Sequence, residues 1–254
     1  MTAKSWIGTS GWYYRHWGGG IFYPKGLSSK EWLSYYSRHF RTVELNNSFY
    51  RLPRPETFEG WSRKVPKGFL FAVKGSRFIT HVKKLIDVES ALRRFLENVS
   101  NLGEKRGPIL FQFPPSWVPD LSRLEDFFRL LSGGGEVFPL KVAVEIRNPD
   151  ALTSPFFDLL SKYEVSLCLA DWRELRIEGP LTASRFVFLR RHGPGGHDVG
   201  YSDADLHADA DRISGWLSGG REVFIYFNND VQGWAIRNAN TLSGLLSRAS
   251  FSVS

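Results

Sequence analysis

Cysteine is nearly absent from this chain. The one residue, Cys168, excludes an internal disulfide framework, and its place between Leu167 and Leu169 reads as a buried, inert thiol rather than a nucleophile. No apolar stretch approaches the length of a membrane span, and the first hydrophobic run opens at Trp6, leaving no room for a secretory leader. The expectation is a protein of the reducing cytoplasm with no membrane partner. Runs of five or six like charges are also missing, so the formal net charge of +7 is spread over a folded surface and points to anionic partners in general. Neither His-x-x-x-His nor Glu-x-x-His spacing occurs, and the glycine-rich stretch His192-Gly193-Pro194-Gly195-Gly196 does not match a phosphate-binding loop. With no low-complexity tract, linker or repeat longer than a strand and its helix, residues 1–254 read as a single domain.

What the chain does contain is eight short hydrophobic runs, each closed by polar residues on its C-terminal side. They are 6–10, 42–46, 69–74, 109–113, 142–147, 166–171, 186–190 and 223–228. Near-continuous Val, Ile, Leu and Phe marks strands buried on both faces, as parallel strands under a helical layer must be. Helical stripes follow most of them. The clearest is Val88, Ala91, Leu92, Phe95, Leu96 and Val99, and others run through Leu121–Leu131, Phe156–Tyr163, Leu206–Leu217 and Ala235–Leu246. Ser28-x-x-Glu31 reads as a capping box, Pro55 as a first-turn proline and Ser154-Pro155 as a cap followed by one. Only the stretch between the sixth and seventh runs lacks a helix. The Gly133-Gly134-Gly135 run reads as a connection on the face away from the polar closures. This alternation predicts an α/β chain, one (β/α)8 TIM barrel of eight parallel strands with a polar C-terminal mouth.

Side chains alternate along a strand, so one parity points inward and the other packs on helices. Sorting by parity sends Glu44, Asn46, Lys74, Gln112, Glu145, Arg147, Arg190, His192, Tyr226 and Asn228 inward, and closes the sixth run with Asp171 or Trp172. Buried charges must interlock, so Glu44, Glu145 and Asp171 are expected to pair with Lys74, Arg147 and Arg190 at the mouth, where barrels of this class place their chemistry. Two glycine-rich insertions, 11–27 and 192–201, sit on the same side. The rings of Trp12, Tyr13, Tyr14, Trp17, Phe49, Tyr50, Trp172 and Trp234, beside Arg15, Arg51, Arg54, Arg77 and Arg191, offer stacking planes next to cations, with ordinary packing as the competing role.

The stretches Ile7-Gly8-Thr9-Ser10-Gly11-Trp12, Thr42-Val43-Glu44-Leu45-Asn46-Asn47-Ser48-Phe49-Tyr50-Arg51, Ile79-Thr80-His81 and Phe111-Gln112-Phe113-Pro114-Pro115 resemble the domain-of-unknown-function 72 family, also called YecE-like. Val144-Glu145-Ile146-Arg147, Arg190-x-His192-Gly193 and Tyr226-Phe227-Asn228-Asn229 continue the resemblance in order, over nearly the whole chain. It implies a TIM barrel and no assigned reaction. Its recurring polar positions fall here on Ser10, Glu44, Asn46, Lys74, Gln112, Glu145, Arg147, Arg190, His192 and Asn228. Asp230 stands where members often carry a cysteine.

Three functions compete. The first is an enzyme acting on a phosphate-bearing or acidic small molecule, with Glu145 or Glu44 as acid/base and Arg147, Arg190, Lys74 and His192 around it. Ser10, Trp12, Asn46, Tyr50, Gln112, Asp171, Trp172, Tyr226 and Asn228 would bind the ligand. A glycosidase variant would use two of Glu44, Glu145 and Asp171. The second is nucleic-acid binding by rim arginines and stacked rings. A divalent metal as cofactor is the third, disfavoured by the neighbouring cations and without named ligands. Oligomeric state is not legible.

Overall fold

The computed structural model describes the backbone of residues 3–133 and 140–251. Strands are β1 (Ser5–Thr9), β2 (Thr42–Leu45), β3 (Leu70–Lys74), β4 (Arg106–Gln112), β5 (Val142–Glu145), β6 (Ser166–Trp172), β7 (Leu175–Arg176), β8 (Phe186–Arg191) and β9 (Glu222–Phe227). Helices are α1 (Trp32–His39), the single turn α2 (Asn47–Tyr50), α3 (Pro55–Lys64), α4 (Glu89–Ser100), α5 (Leu121–Ser132), α6 (Ser154–Lys162), α7 (Asp203–Ser218) and α8 (Trp234–Phe251). Each of the eight predicted hydrophobic runs became a strand. The two-residue β7 is an addition, pairing antiparallel with the end of β6 where no helix was expected. Strands alternating with helices and running parallel to their partners place the chain in the α/β class with the (β/α)8 order of a TIM barrel.

The chain forms two compact units, one of Met1–Glu44, Leu169–Glu178 and Arg185–Ser254, the other of Leu45–Cys168 and Gly179–Ser184. In the first, β9 lies between β1 and β8, parallel to both, and Ser10 just beyond β1 forms a parallel bridge with Glu44 of β2. Gly8 makes the approach of β1 to β2 feasible: a Cβ there would stand 2.3 Å from the Thr42 carbonyl oxygen. Tyr36 of α1 ties the same strands, accepting from the Thr9 backbone N–H at 3.0 Å and donating to the Thr42 carbonyl at 3.0 Å. In the second unit β3, β4, β5 and the start of β6 are parallel neighbours, with Gln112 in register with Glu145.

Strands β2, β5 and β8 are buried along their whole length, so the charges they carry have to be neutralised by partners. Adjacent arginines on β8 show the alternation. Arg190 turns to Glu44, while Arg191, expected among exposed rings, is 1% exposed and makes a two-pronged ion pair with Asp209 of α7. That correction follows from strand parity, which sends Arg191 into the helical layer. Helix starts also differ in detail. Ser28 caps a 3₁₀ turn, Ser29–Glu31, and α1 begins at Trp32; Thr153, not Ser154, occupies the N-cap of α6. Pro55 opens α3 as expected. Of the Gly133–Gly135 run, residues 134 and 135 lie outside the described residues. Cys168 is buried. Among the described residues no helix is long and apolar enough to cross a membrane.

Candidate functional site

In the unit that holds β3, β4 and β5, polar side chains gather at the C-terminal ends of three neighbouring strands. Lys74 ends β3, Gln112 ends β4, Glu145 ends β5 and Arg147 follows it. Glu145 is fully buried and accepts from Arg147 Nε at 2.7 Å. Lys74 is buried too, its ammonium 4.2 Å from the centre of the Phe49 ring, an arrangement favoured by the negative ring face. Ser48 of α2 donates to the Lys74 carbonyl at 2.6 Å, fixing the turn that carries Phe49.

His81 completes this set, on a π-helical turn (Phe78–Val82) after β3. Its ring stands edge-on to Phe49 with centroids 5.1 Å apart. Gln112 Nε2 is 3.4 Å from His81 Nε2 and also donates to the Phe113 carbonyl at 2.6 Å. An amide nitrogen can only donate, so Nε2 accepts and the ring proton sits on Nδ1, 2.8 Å from Thr80 Oγ1. Burial first, then the positive charges of Lys74, Arg77 and Arg147, press the His81 pKa down to about 4, against a smaller upward pull from Glu145. The imidazole is therefore neutral at physiological pH.

The other unit has its own polar layer. Glu44 is fully buried and accepts two parallel bonds from Arg190, Nε to Oε2 and Nη2 to Oε1, each 2.9 Å. Arg190 Nη1 lies 3.3 Å from His192 Nε2. A guanidinium has no acceptor, so Nε2 accepts from it and Nδ1 carries the ring proton. Asn228 Nδ2 is 3.1 Å from Nδ1, and turning the carboxamide over brings its oxygen onto that proton.

Asp171 acts on the backbone. It accepts from the His192 N–H at 2.7 Å and from the Tyr201 hydroxyl, which itself accepts from the Gly193 N–H at 2.7 Å. Burial raises the pKa of Asp171, against the lowering effect of the Tyr201 bond. Gly193 has φ 105°, and a Cβ there would lie 1.9 Å from the Gly196 carbonyl oxygen, so only glycine fits the turn.

Other expected site residues have different surroundings. The Tyr226 hydroxyl is completely buried and bonds Thr42 Oγ1 at 2.7 Å. Trp12, Trp17 and Phe49 are buried in packing, whereas Tyr50 is 76% exposed against the edge of Phe49. Trp172 lies under the Arg173 guanidinium at 4.7 Å. Of these expected residues, Ser10 and Asn46 each carry a buried side-chain atom, Oγ and Oδ1, without a hydrogen-bond partner among the described residues, as do Trp6, Arg191 and Asn229 elsewhere. Asp230 accepts through its carbonyl from Trp17 Nε1 at 2.8 Å and faces His16 at 3.3 Å. Tyr201 and His81 were not among the site residues chosen from sequence, and Tyr14 was named only among the rim rings. His81 carried a signal in its spacing, since Lys74, Arg77 and His81 fall within eight residues of a strand end. Among the described residues no three His, Cys, Asp or Glu side chains cluster as metal ligands.

Fold and polar strand ends together define a TIM-barrel α/β protein. The chain belongs to the family described as "Protein of unknown function DUF72", whose model matches residues 6–253. It is 26% identical to a DUF72 family protein of known structure from Thermotoga maritima, with a TM-score of 0.82 over 96% of this chain and 99% of that one. Against the UPF0759 protein YecE of Escherichia coli (strain K12) it is 31% identical over 118 residues, 46% of this chain and 42% of that protein. The UPF0759 protein YunF of Bacillus subtilis (strain 168) is 31% identical over 158 residues, 60% of this chain and 54% of its own length. The chain thus spans about half the length of the curated relatives it matches.

Proposed function

We propose that this chain is an enzyme acting on a phosphate-bearing or otherwise acidic small molecule, received at the ends of β3, β4 and β5. Lys74, Arg77 and Arg147 attract its negative group, and Glu145 moves the proton. The observation that carries the reading is geometric: Lys74, Arg77 and Arg147 act together on His81 at the ends of neighbouring strands, with Glu145 as the one carboxylate among them, a balance of charge that favours an anion. Neutral His81 adds a hydrogen-bonding ring that does not repel a further cation. The expected solution location is the cytoplasm, in keeping with the scarcity of cysteine.

Calorimetric titration with inorganic phosphate tests the reception step, and a panel of phosphate esters and carboxylic acids tests turnover. Lys74→Met should weaken phosphate binding about tenfold or more, the usual effect of losing one charge-assisted contact. Glu145→Gln should keep the fold and abolish turnover. Phosphate binding indifferent to both Lys74→Met and Arg147→Met would remove the reading, and retained turnover in Glu145→Gln would remove that residue from it.

A further inference from the structure

In the unit that holds β1, β2, β8 and β9, one layer of side chains is finished and the next is not. The lower layer is closed: Gly8 packs on Thr42, and the Tyr226 hydroxyl bonds Thr42 Oγ1 at 2.7 Å. One step up, Ser10 and Glu44 are partners in a parallel bridge, so their side chains leave the strands on the same face. A carboxylate offers about four acceptor positions. Among the described residues Glu44 fills two of them, both with Arg190. Its bridge partner is equally incomplete. Ser10 is 1% exposed; its N–H bonds the Phe227 carbonyl at 2.9 Å and its carbonyl accepts from Tyr14, but its Oγ has no partner among the described residues.

A buried hydroxyl without a partner lowers stability, and alanine would pack the same space without that cost. We propose that Ser10 and Glu44 bind adjacent hydroxyl groups of a polyhydroxylated small molecule, a sugar or polyol, with Arg190 holding the carboxylate in place. Adjacent hydroxyls match the layer: each can donate to an open Glu44 position, and one can accept from Ser10. Tyr14 is the door. Its hydroxyl is fastened to the Ser10 carbonyl, burial and then the charges of Asp230 and Glu44 suppress its ionisation, and Gly11 beside it has φ 99° with a Cβ position 3.1 Å from the Tyr14 oxygen. On this proposal Tyr14 moves aside to admit the ligand to Ser10 Oγ. The inference uses none of the residues assigned to the anion and stands apart from that reading.

The probes are myo-inositol and D-glucose, titrated into the full chain by calorimetry, with 2-propanol as a single-hydroxyl control. Saturable binding of a polyol but not of 2-propanol is expected. Ser10→Ala should weaken it roughly five- to tenfold, the equivalent of one hydrogen bond, while raising the urea midpoint of the unliganded chain. Tyr14→Phe should tighten binding roughly threefold by loosening the closed form. Absence of saturable polyol binding, unchanged affinity in Ser10→Ala, or a lowered urea midpoint in that variant would each overturn the assignment. Weaker binding in Tyr14→Phe would overturn the role of Tyr14.

Discussion

Acidification should destabilise this protein through one histidine before the carboxylates respond. His81 has its pKa pressed from the ordinary 6.5 to about 4. In the unfolded chain it takes up a proton first, so its contribution to stability is complete above pH 6.5 and is lost as pH falls toward 4. At about 1.4 kcal/mol per pH unit the displacement sets a ceiling near 3.4 kcal/mol. The ring is only partly buried, and solvent screening reduces this to about 2 kcal/mol. Asp171 and Asp230, whose pKa values burial raises, act in the opposite sense within part of that range, so the wild type must be compared with a variant lacking only the imidazole. His81→Gln keeps a side chain able to bond Gln112 and Thr80. Urea denaturation of both proteins at pH 7 and pH 4.5 should show the wild type losing about 1.4 kcal/mol more than the variant, since pH 4.5 still lies above the folded pKa and part of the effect remains. The histidine ring protons, followed by NMR, should titrate near pH 4 and shift upward when inorganic phosphate is added. A His81 that titrates between pH 6 and 7 in the free protein would refute the electrostatic argument from which the anion site was built.

Two further substitutions probe the framework. Arg190→Met strands the Glu44 carboxylate, so about 3–5 kcal/mol of stability should go, and Glu44→Leu/Arg190→Met should recover most of it; urea curves for the cycle decide, and a single-variant loss below about 1 kcal/mol would contradict the pairing. Gly8→Ala places a methyl carbon against the Thr42 carbonyl and should cost at least about 2 kcal/mol or abolish soluble expression, read by thermal denaturation.

Legibility from sequence followed the strands. Runs such as Val142-Ala143-Val144-Glu145 are uniformly apolar because both faces are covered, and parity then told which polar residue pointed inward: Glu44 and Arg190, chosen separately on distant strands, meet at 2.9 Å. The same rule applied to Arg191 would have sent it to α7, where Asp209 receives it. Off the strands no period governs direction, so His81 on its π turn and Tyr201 beyond the glycine-rich stretch left only faint traces. Rings were equally ambiguous. Trp17 and Tyr50 belong to similar aromatic clusters in sequence, yet one is wholly buried and the other largely open. The β7 return was invisible because two residues are too few to show alternation.

Asp171 has a consequence beyond its own neighbourhood. One carboxylate clasps the His192 N–H and the Tyr201 hydroxyl, so the start and finish of the 192–201 loop are tethered at a common point. Asn238 reinforces the second tether, accepting from the Tyr201 N–H at 3.2 Å. The stretch between is pinned as well: the Val199 carbonyl accepts from Asn229 Nδ2 at 2.9 Å and the His197 carbonyl from the Val231 N–H at 3.2 Å. A reporter grafted onto this scaffold therefore belongs at Pro194 and Gly195, the exposed pair ahead of those ties.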